Sequence, residues 1–313
     1  MSSQLPSSPD GLDLGHTLSA WLLHTTFPPE GTPLRCGVSG GADSLALMAL
    51  ATAAGCVVTA VHVDHGQRDG SADEADVVHA YAQSIGAGVE RHRADIDPGS
   101  NLEARMRAAR YGVLGPHAAT GHTVDDQAET MLINLVRGSG LVGLGAMEPG
   151  HRRPILGLRR ADTEAVCAAL GWQPVTDASN DDPAFQRNRM RHEVMPLLDD
   201  IAGRDVAPLL ARSTAHARNA ARVVADHAAQ LDPTDALALA AAPRPVAAMA
   251  LQQWVRSETG DAHPIDTASV QRLFEVIDGD VKAAEVSGGW RVSRSQQRLR
   301  ISGCPTRESG SLT

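Results

Sequence analysis

Segments typical of strands and helices alternate along the first half of the chain, and this order limits the folds open to it. Residues 56–63 (CVVTAVHV) form a continuous β-branched run, typical of a strand buried on both faces of a parallel sheet. The spacing of apolar residues and glycines predicts strands at 34–39, 56–63, 89–94 and 118–121, and helices at 14–24, 42–54, 71–85, 101–117 and 123–136. This alternation predicts an α/β fold with a parallel sheet, in which ligands bind at the carboxyl ends of the strands.

Beyond Met147 the pattern becomes mostly helical. Helices are predicted at 161–170, 187–198, 206–231, 247–258 and 267–278, and a β-hairpin at 290–293 and 298–302. An Ala/Pro-rich stretch, 233–245, is typical of a domain boundary. We therefore expect four parts: an N-terminal extension (1–30), an α/β domain (31–204), a linker helix (205–232) and a smaller, mostly helical C-terminal domain with the hairpin (233–313).

Composition excludes several classes of protein. A hydrophobic content of 42% excludes disorder for most of the chain. No run approaches about 18 apolar residues, so no membrane helix is expected, and without a signal-like N-terminus we expect a cytoplasmic protein. Four distant cysteines lack a C-x-x-C pair, which fits neither a disulfide scaffold nor a thiolate metal site. Lys282 is the only lysine and does not follow a P-loop glycine, so a Walker A loop is excluded.

The net charge of −9 is unevenly distributed along the chain. Residues 1–104 carry all of the excess acid, whereas residues 286–307 contain five arginines and no acid. The negative net charge argues against a nucleic-acid partner. A local basic patch, however, is more informative about nucleic-acid binding than the net charge of the whole chain. The C-terminal end of the chain is therefore a candidate basic surface.

The segment SGGADS (39–44) lies between the first predicted strand and a helix. Gly40 and Gly41 would let the backbone turn tightly and approach a ligand. Helix N-terminal amides and the hydroxyls of Ser39 and Ser44 suit phosphate oxygens. Phosphate would repel Asp43, so this residue either holds Mg²⁺ or caps the turn. An ordinary strand-to-helix turn is the alternative interpretation.

The segment GHTVDDQAET (121–130) concentrates acids at the start of a helix. Asp125 and Asp126 lie four and three residues before Glu129, so the three carboxylates share a face. Acids in a first turn also complement the helix dipole, which is the simpler explanation. Three acids beside His122 are more than the helix dipole requires, and a cationic substrate would account for the additional acids. One of these acids could also accept a proton from an attacking amine.

Several arginines recur at helical spacing. Arg107 and Arg110 lie three residues apart, and Arg187 and Arg191 lie one turn apart. Both pairs could clamp phosphate or a base, although solvated helix faces look the same. Further cationic candidates are Arg137, Arg291 and Arg294.

These motifs resemble a known family. SGGADS resembles the pyrophosphate-binding loop of the N-type ATP pyrophosphatases, and VHVDHGQRDGSADEA, NLEARMRAARYGVL, GHTVDDQAETMLINLVRGSGLVGLGAM and NDDPAFQRNRMR are similar to tRNA(Ile)-lysidine synthetases over residues 34–198. The chain departs from the family pattern at Ala42, Gln67 and Ala178. None of these departures removes a polar group.

The resemblance implies a Rossmann-like PP-loop fold and a two-step ligation. AMP would pass from ATP to the C2 oxygen of the wobble cytidine in an isoleucine tRNA with a CAU anticodon, releasing pyrophosphate. The ε-amine of free lysine would then attack C2 and expel AMP, leaving lysidine and changing decoding from AUG to AUA. The implied partners are therefore ATP, Mg²⁺, that tRNA and free L-lysine, with no membrane. A homodimer is left open.

The resemblance also implies residue roles. The implied ATP- or pyrophosphate-binding residues are Ser39, Gly40, Gly41, Ala42, Asp43, Ser44, His62, Arg107, Arg110 and Gly121. The implied lysine-binding residues are Asp125, Asp126 and Glu129. The implied tRNA-binding residues are Arg137, Asn180, Arg187, Arg191, Arg291 and Arg294. The implied catalytic residues are Asp43, His122, Asp126, Arg187 and Arg191, with Asp43 also as the metal ligand.

Three other functions compete with this interpretation. A tRNA thiolase shares the adenylation step but generally needs a cysteine pair or an iron–sulfur site, which the isolated cysteines fit poorly. An amidating ligase acting on a small metabolite would need an ammonia source, and no glutaminase segment is apparent. A module that only senses ATP would have no use for the acids at 125–129.

Overall fold

The computed structural model describes residues 13–64, 71–94, 102–175, 182–260 and 265–303, and leaves out the side chains of 71–74, 102–104, 106 and 107. The chain forms two compact units, Met1–His216 and Ala217–Thr313. The division falls within the long helix that the sequence predicts as a linker. In the described ranges, no helix has the length and apolarity needed to cross a membrane.

The first unit contains a parallel sheet with the order β1-β2-β3. Its strands are β1 (Pro33–Gly37), β2 (Val57–Asp64) and β3 (Gly88–Arg93). The predicted fourth strand is shorter than expected and reduces to a parallel bridge between Cys36 and Ala119. There, the Gly37 amide donates to the Ala119 carbonyl at 2.9 Å, so the segment still runs beside β1. The predicted parallel α/β fold is confirmed.

Helices connect these strands and follow them along the chain. They are α1 (Leu14–Thr17), α2 (Ser19–Leu22), α3 (Ala42–Ala53), α4 (Ser71–Ser84), α5 (Leu102–Leu114), α6 (Val124–Val136), α7 (Leu141–Leu144), α8 (Arg160–Ala169), α9 (Gln186–Arg189), α10 (Met195–Ala202) and α11 (Ala207–Ala228), with a π-helical turn at Met190–Val194. Two predictions were wrong in detail. The single helix expected at 14–24 is two short helices meeting at the fully buried Leu18, and the helix expected at 187–198 contains the π turn.

Helix α3 fixes the position of the glycine loop. Nine of its twelve residues are buried, and it packs on β1, β2 and α8. A helix covered on most sides needs small and apolar residues around its circumference, which explains the sequence LALMALA at 45–51. Its N-terminus is thereby held directly at the carboxyl end of β1.

The second unit builds its own core. It contains α12 (Ala236–Ala241), α13 (Arg244–Thr259) and α14 (Thr267–Asp278), and an antiparallel sheet of β4 (Ala283–Val286), β5 (Trp290–Ser295) and β6 (Arg298–Ser302). The predicted hairpin is confirmed, and β4 adds a third strand to it. The stretch 233–245, predicted as a boundary, contains α12, whose Leu239 is fully buried in this core.

Candidate active site

The glycine loop joins β1 to α3 and depends on one left-handed residue. Gly40 has φ +95°, and its carbonyl accepts the Val175 amide at 3.0 Å. Gly41 has an ordinary extended backbone (φ −73°, ψ 159°) and occupies the N-cap of α3. Glycine is therefore required for backbone conformation at position 40. At position 41, an added Cβ would meet its nearest atom, Ser39 Oγ, at 3.9 Å.

The two serines hold the loop together. Ser44 Oγ accepts the Ser39 amide at 3.1 Å and donates to the Gly41 carbonyl at 2.9 Å. The two hydroxyl oxygens lie 3.3 Å apart. An α-helix leaves its first amides without intrahelical acceptors, and its dipole is positive at that end. The loop thus presents amides at the N-terminus of α3, including that of Ala42, in the arrangement that suits phosphate.

Asp43 lies in the first turn of α3 and is half-buried. Its Oδ1 accepts a 2.5 Å hydrogen bond from Thr163, and its Oδ2 lies 3.7 Å from Arg160 Nε. Burial raises the pKa of Asp43 to about 6, and the nearby Asp126 adds to the rise, while Thr163, Arg160 and Arg191 oppose it. One carboxylate beside a phosphate site fits Mg²⁺, which protein sites often hold through one or two carboxylates and substrate phosphates.

The raised pKa predicts a pH-dependent stability. Between the ordinary value of 3.8 and about 6, the folded protein binds more protons at Asp43 than the unfolded chain does, so its stability falls as pH rises through that range. We expect Asp43→Asn to gain about 2–3 kcal/mol in unfolding free energy relative to the natural protein between about pH 4 and pH 7. Urea denaturation across that range measures the difference. Parallel pH curves for the two proteins would contradict it.

Gly121 brings a second loop against the first. A Cβ on Gly121 would stand 2.5 Å from the Asp43 carbonyl oxygen and 3.1 Å from the Ser44 amide nitrogen. Real Cβ contacts are essentially never closer than 3.0 Å. The next residue, His122, lies with its Nδ1 2.8 Å from Thr120 Oγ1. The two loops predicted to follow neighbouring strand ends are therefore adjacent.

Asp126 both caps helix α6 and faces the arginines. Its Oδ2 accepts the Thr123 amide at 2.8 Å and the Thr123 hydroxyl at 3.0 Å, and its Oδ1 lies 3.0 Å from Arg187 Nη2. Burial alone would raise the pKa of Asp126, but Arg187, His122 and Arg160 outweigh it and the pKa is lowered. The acid is therefore ionised and held in a fixed orientation.

Glu129 is the most enclosed acid of the site, with 2% of its side chain exposed. Arg187 Nε and Arg191 Nε donate to its two oxygens at 2.8 Å each, and Arg160 Nη2 lies at 3.4 Å. Arg187 and Arg191, predicted one helical turn apart, thus both reach the acids although the π turn begins between them. Three guanidinium groups surround this single carboxylate.

Asp125 faces a different arginine. Arg159 donates to it through Nη2 at 2.8 Å and Nε at 3.1 Å, and the Arg160 amide donates at 2.8 Å. Burial favours a raised pKa for Asp125, but these donors more than compensate and lower it. Arg159 also pairs with Asp205. All three predicted acids therefore lie together, and each is paired with arginine.

Sequence reasoning missed Arg159, Arg160 and Thr163, which lie at the start of α8. Arg160 contacts Asp43, Asp126 and Glu129, and so joins the two loops electrostatically. One signal was available. Buried acids require cationic partners, so the clustered acids themselves indicated that further arginines would lie beside them.

A cavity of about 180 Å³ adjoins the acids. Its walls combine four acids, three arginines and two apolar side chains: Asp125, Glu129, Arg159, Arg160, Arg191, Met195, Pro196, Asp199 and Asp205. Both charge signs and an apolar surface are therefore available to a small ligand there.

Other predicted site residues have separate surroundings. The buried ring of His62 contacts the Val38 carbonyl through Nδ1 at 2.9 Å. Arg110 Nη2 lies 3.6 Å from where a Cβ on Gly37 would stand, near the end of β1. Arg137 Nη2 donates to Gln186 Oε1 at 3.0 Å. The Arg107 side chain and Asn180 lie outside the described residues.

Two predicted residues belong to the second unit. Arg291 is exposed on β5. Arg294 donates to the carbonyls of Val276 and Ile277 at the end of α14, and so caps that helix. Arg291 is therefore the more accessible of the two to a partner.

Comparison with known proteins shows the family of the chain. A PP-loop domain model matches residues 18–198, so the fold and the glycine loop define an ATP-binding PP-loop domain. A tRNA(Ile)-lysidine synthase from Nocardia farcinica is 39% identical over 96% of each chain. Proteins of that name from Rhodococcus jostii and Mycobacterium tuberculosis H37Rv are 40% and 36% identical, covering 80% and 85% of this chain and 81% and 86% of their own. The chain belongs to the tRNA(Ile)-lysidine synthase family and is a ligase.

A solved structure supports the fold alone. The U34-tRNA thiolase NcsA from Methanococcus maripaludis, with its [4Fe-4S] cluster, aligns with a TM-score of 0.50 at 16% identity. The alignment covers 65% of this chain and 77% of that one.

Proposed function

We propose that this protein ligates free L-lysine to C2 of the wobble cytidine in an isoleucine tRNA with a CAU anticodon, through an adenylated tRNA intermediate. One observation carries the proposal beyond family membership. Arg160 links Asp43 of the phosphate-type loop to Asp126 and Glu129 of the acid cluster. A triphosphate and a doubly cationic amino acid would therefore meet at adjoining strand ends.

In the first step, the loop would bind ATP. The amides of Gly40, Gly41 and Ala42, with the hydroxyls of Ser39 and Ser44, would hold the β- and γ-phosphates. His62 and Val63 would face the adenine through backbone groups, with Arg107, Arg110 and Gly121 nearby. Asp43 would hold Mg²⁺, which neutralises phosphate charge when bound. His122 and the arginines would face the α-phosphate, so that placement and electrostatics do most of the work.

In the second step, the acids would bind lysine. The lysine ε-nitrogen would form a bond to C2, the bond from C2 to the AMP-bearing oxygen would break, and AMP would leave with that oxygen. A carboxylate among Asp125, Asp126 and Glu129 would take the proton that the amine loses. The cavity beside these acids offers Met195 and Pro196 to the aliphatic stem of the substrate.

The arginine pairs would impose an order on the two steps. Arg187, Arg191 and Arg160 hold the carboxylates that lysine needs. Guanidinium groups form strong bidentate pairs with phosphate, so bound nucleotide and tRNA phosphates would compete for the same arginines. When these arginines pair with phosphate, the carboxylates would become available to the ammonium groups of the lysine substrate. We therefore infer that nucleotide binds before lysine.

Contacts to tRNA would come from several elements. The arginines 137, 187 and 191, with Asn180, would contact the cytidine and its phosphates beside the acid cluster. Arg291 and Arg294 would contribute from the second unit. Turning the cytidine out of the loop would cost little free energy, because anticodon loop nucleotides are already unpaired.

The cysteines support lysine rather than sulfur as the incorporated group. A nucleophilic or metal-binding cysteine acts as thiolate. Cys36, Cys56 and Cys167 are buried, and burial raises the pKa of each thiol, to about 11 at Cys167. Cys304 lies outside the described residues.

The test is mass spectrometry of the wobble nucleoside after incubation with ATP, Mg²⁺, labelled lysine and the isoleucine tRNA. We expect one lysine per tRNA and an equal amount of AMP. The same tRNA with uridine at the wobble position is the control and should gain no lysine. Replacing Asp43 or Arg191 by alanine should abolish turnover in protein whose folding is verified by circular dichroism. Sulfur in the nucleoside, or AMP release that does not depend on lysine, would overturn the proposal.

A further inference from the structure

One aromatic side chain stands apart from the others. The chain has four tryptophans, two tyrosines and three phenylalanines, and all lie within its described part. Eight of them are buried or half-buried, whereas Phe185 is exposed at 38%. Burying a phenylalanine side chain contributes about 1.5–3 kcal/mol, so an exposed ring leaves part of that contribution unused. The position therefore suggests a role other than packing.

Phe185 is placed directly before the arginine-bearing helix. It is the N-cap residue of α9, and its carbonyl accepts the Arg189 amide at 3.2 Å. The next residue, Gln186, accepts a hydrogen bond from Arg137, and the one after that, Arg187, reaches Asp126 and Glu129. The two residues that follow the ring therefore contact an exposed cation and the buried acids.

We propose that Phe185 stacks on an unpaired base of the tRNA loop that delivers the cytidine, and so positions that cytidine over the acid cluster. The inference rests on the proposed function, since it takes a single-stranded RNA loop as the substrate. Unstacked RNA bases are commonly received by aromatic side chains, and such stacking tolerates any base. The neighbouring Arg137 supplies a charge for the loop phosphates.

A purely structural role for the ring makes a different prediction. An apolar residue next to a helix start can pack against the first turns and fix the entry of the chain. Leucine would then substitute well, because it fills similar space and loses no polar contact. Stacking instead requires a flat ring, so tryptophan would substitute and leucine would fail.

The experiment uses the full chain and an RNA hairpin carrying the anticodon loop, with 2-aminopurine replacing one loop base at a time. We expect the natural protein to quench the fluorescence at one loop position. Phe185→Leu should lose this quenching and weaken hairpin binding about 5- to 100-fold, as expected for the loss of one stacked base. Phe185→Trp should keep both properties. Leu23→Ala, at another exposed apolar position, is the control and should change neither.

Binding requires neither ATP nor lysine, so this test stays separate from the test of lysidine formation. If the nucleoside gains no lysine but Phe185→Leu loses quenching, the stacking role stands and the proposed chemistry fails. If lysidine forms and Phe185→Leu binds and quenches as the natural protein does, the stacking role is wrong. A lower unfolding temperature for Phe185→Leu with normal quenching would likewise assign the ring to packing.

Discussion

Replacing Glu129 by glutamine should abolish lysine-dependent turnover and lower the free energy of unfolding by about 3 kcal/mol. The substitution keeps size and shape but removes the charge that Arg187, Arg191 and Arg160 share. Only 2% of this side chain is exposed, so water cannot replace the lost charge. Breaking a buried ion pair costs more than the pair itself contributes, and here three guanidinium groups would be left to share Asp126 and Asp43.

Two measurements separate the effects on stability and on function. Urea denaturation gives the unfolding free energy, and equilibrium dialysis with labelled lysine and a non-hydrolysable ATP analogue gives lysine binding at a temperature where the variant is folded. Glu193→Gln is the matched control. Glu193 also pairs with an arginine, Arg189, at 2.8 Å, but both side chains are largely exposed. We expect no measurable change in that variant. Full lysine binding by Glu129→Gln would remove Glu129 from the lysine site.

The sequence predicts the frame of the site because short-range patterns determine it. The apolar run at 56–63 became β2, and the helix predicted at 42–54 is α3 at Ala42–Ala53. Loops at the ends of neighbouring parallel strands must be close, so the proximity of Asp43 and Gly121 followed from topology. These features depend on local composition and on the order of elements.

The sequence does not predict the ion pairs of the site, because they join residues that are distant in sequence. Asp125 and Arg159 are 34 positions apart, and Glu129 and Arg191 are 62 apart. Charge balance indicates that buried acids need cations, but it does not select which of 27 arginines supply them. The sequence alone therefore predicts acids open to a cationic substrate, whereas the structure pairs each of them with arginine.

Short elements escaped prediction for a related reason. The strand β4, with the sequence AAEV, has little β-branched character, and its pairing with β5 stabilises it. The break between α1 and α2 falls at Leu18, which is fully buried in the core of the first unit. In both places tertiary packing decides the outcome.

Replacing Gly121 by alanine should reduce turnover about 100-fold or more. The added Cβ would stand 2.5 Å from the Asp43 carbonyl oxygen, 2.8 Å from its carbon and 3.1 Å from the Ser44 nitrogen, all of them backbone atoms at the start of α3. Because nine of the twelve residues of α3 are buried, we expect the loop that carries His122 to move instead. A displacement of about 1 Å between reacting groups can cost a hundredfold in rate.

Steady-state turnover with ATP, lysine and tRNA measures this effect, and Gly112→Ala is the control. Gly112 lies in α5, where an added Cβ meets nothing within 4 Å, so alanine there should leave turnover unchanged and stabilise the helix by about 0.5–1 kcal/mol. The same chemical change is thus harmful only where two loops touch. Normal turnover in Gly121→Ala would mean that the phosphate loop and the acid-bearing loop need not be in contact. It would contradict the proposal that the two substrates meet where these loops adjoin.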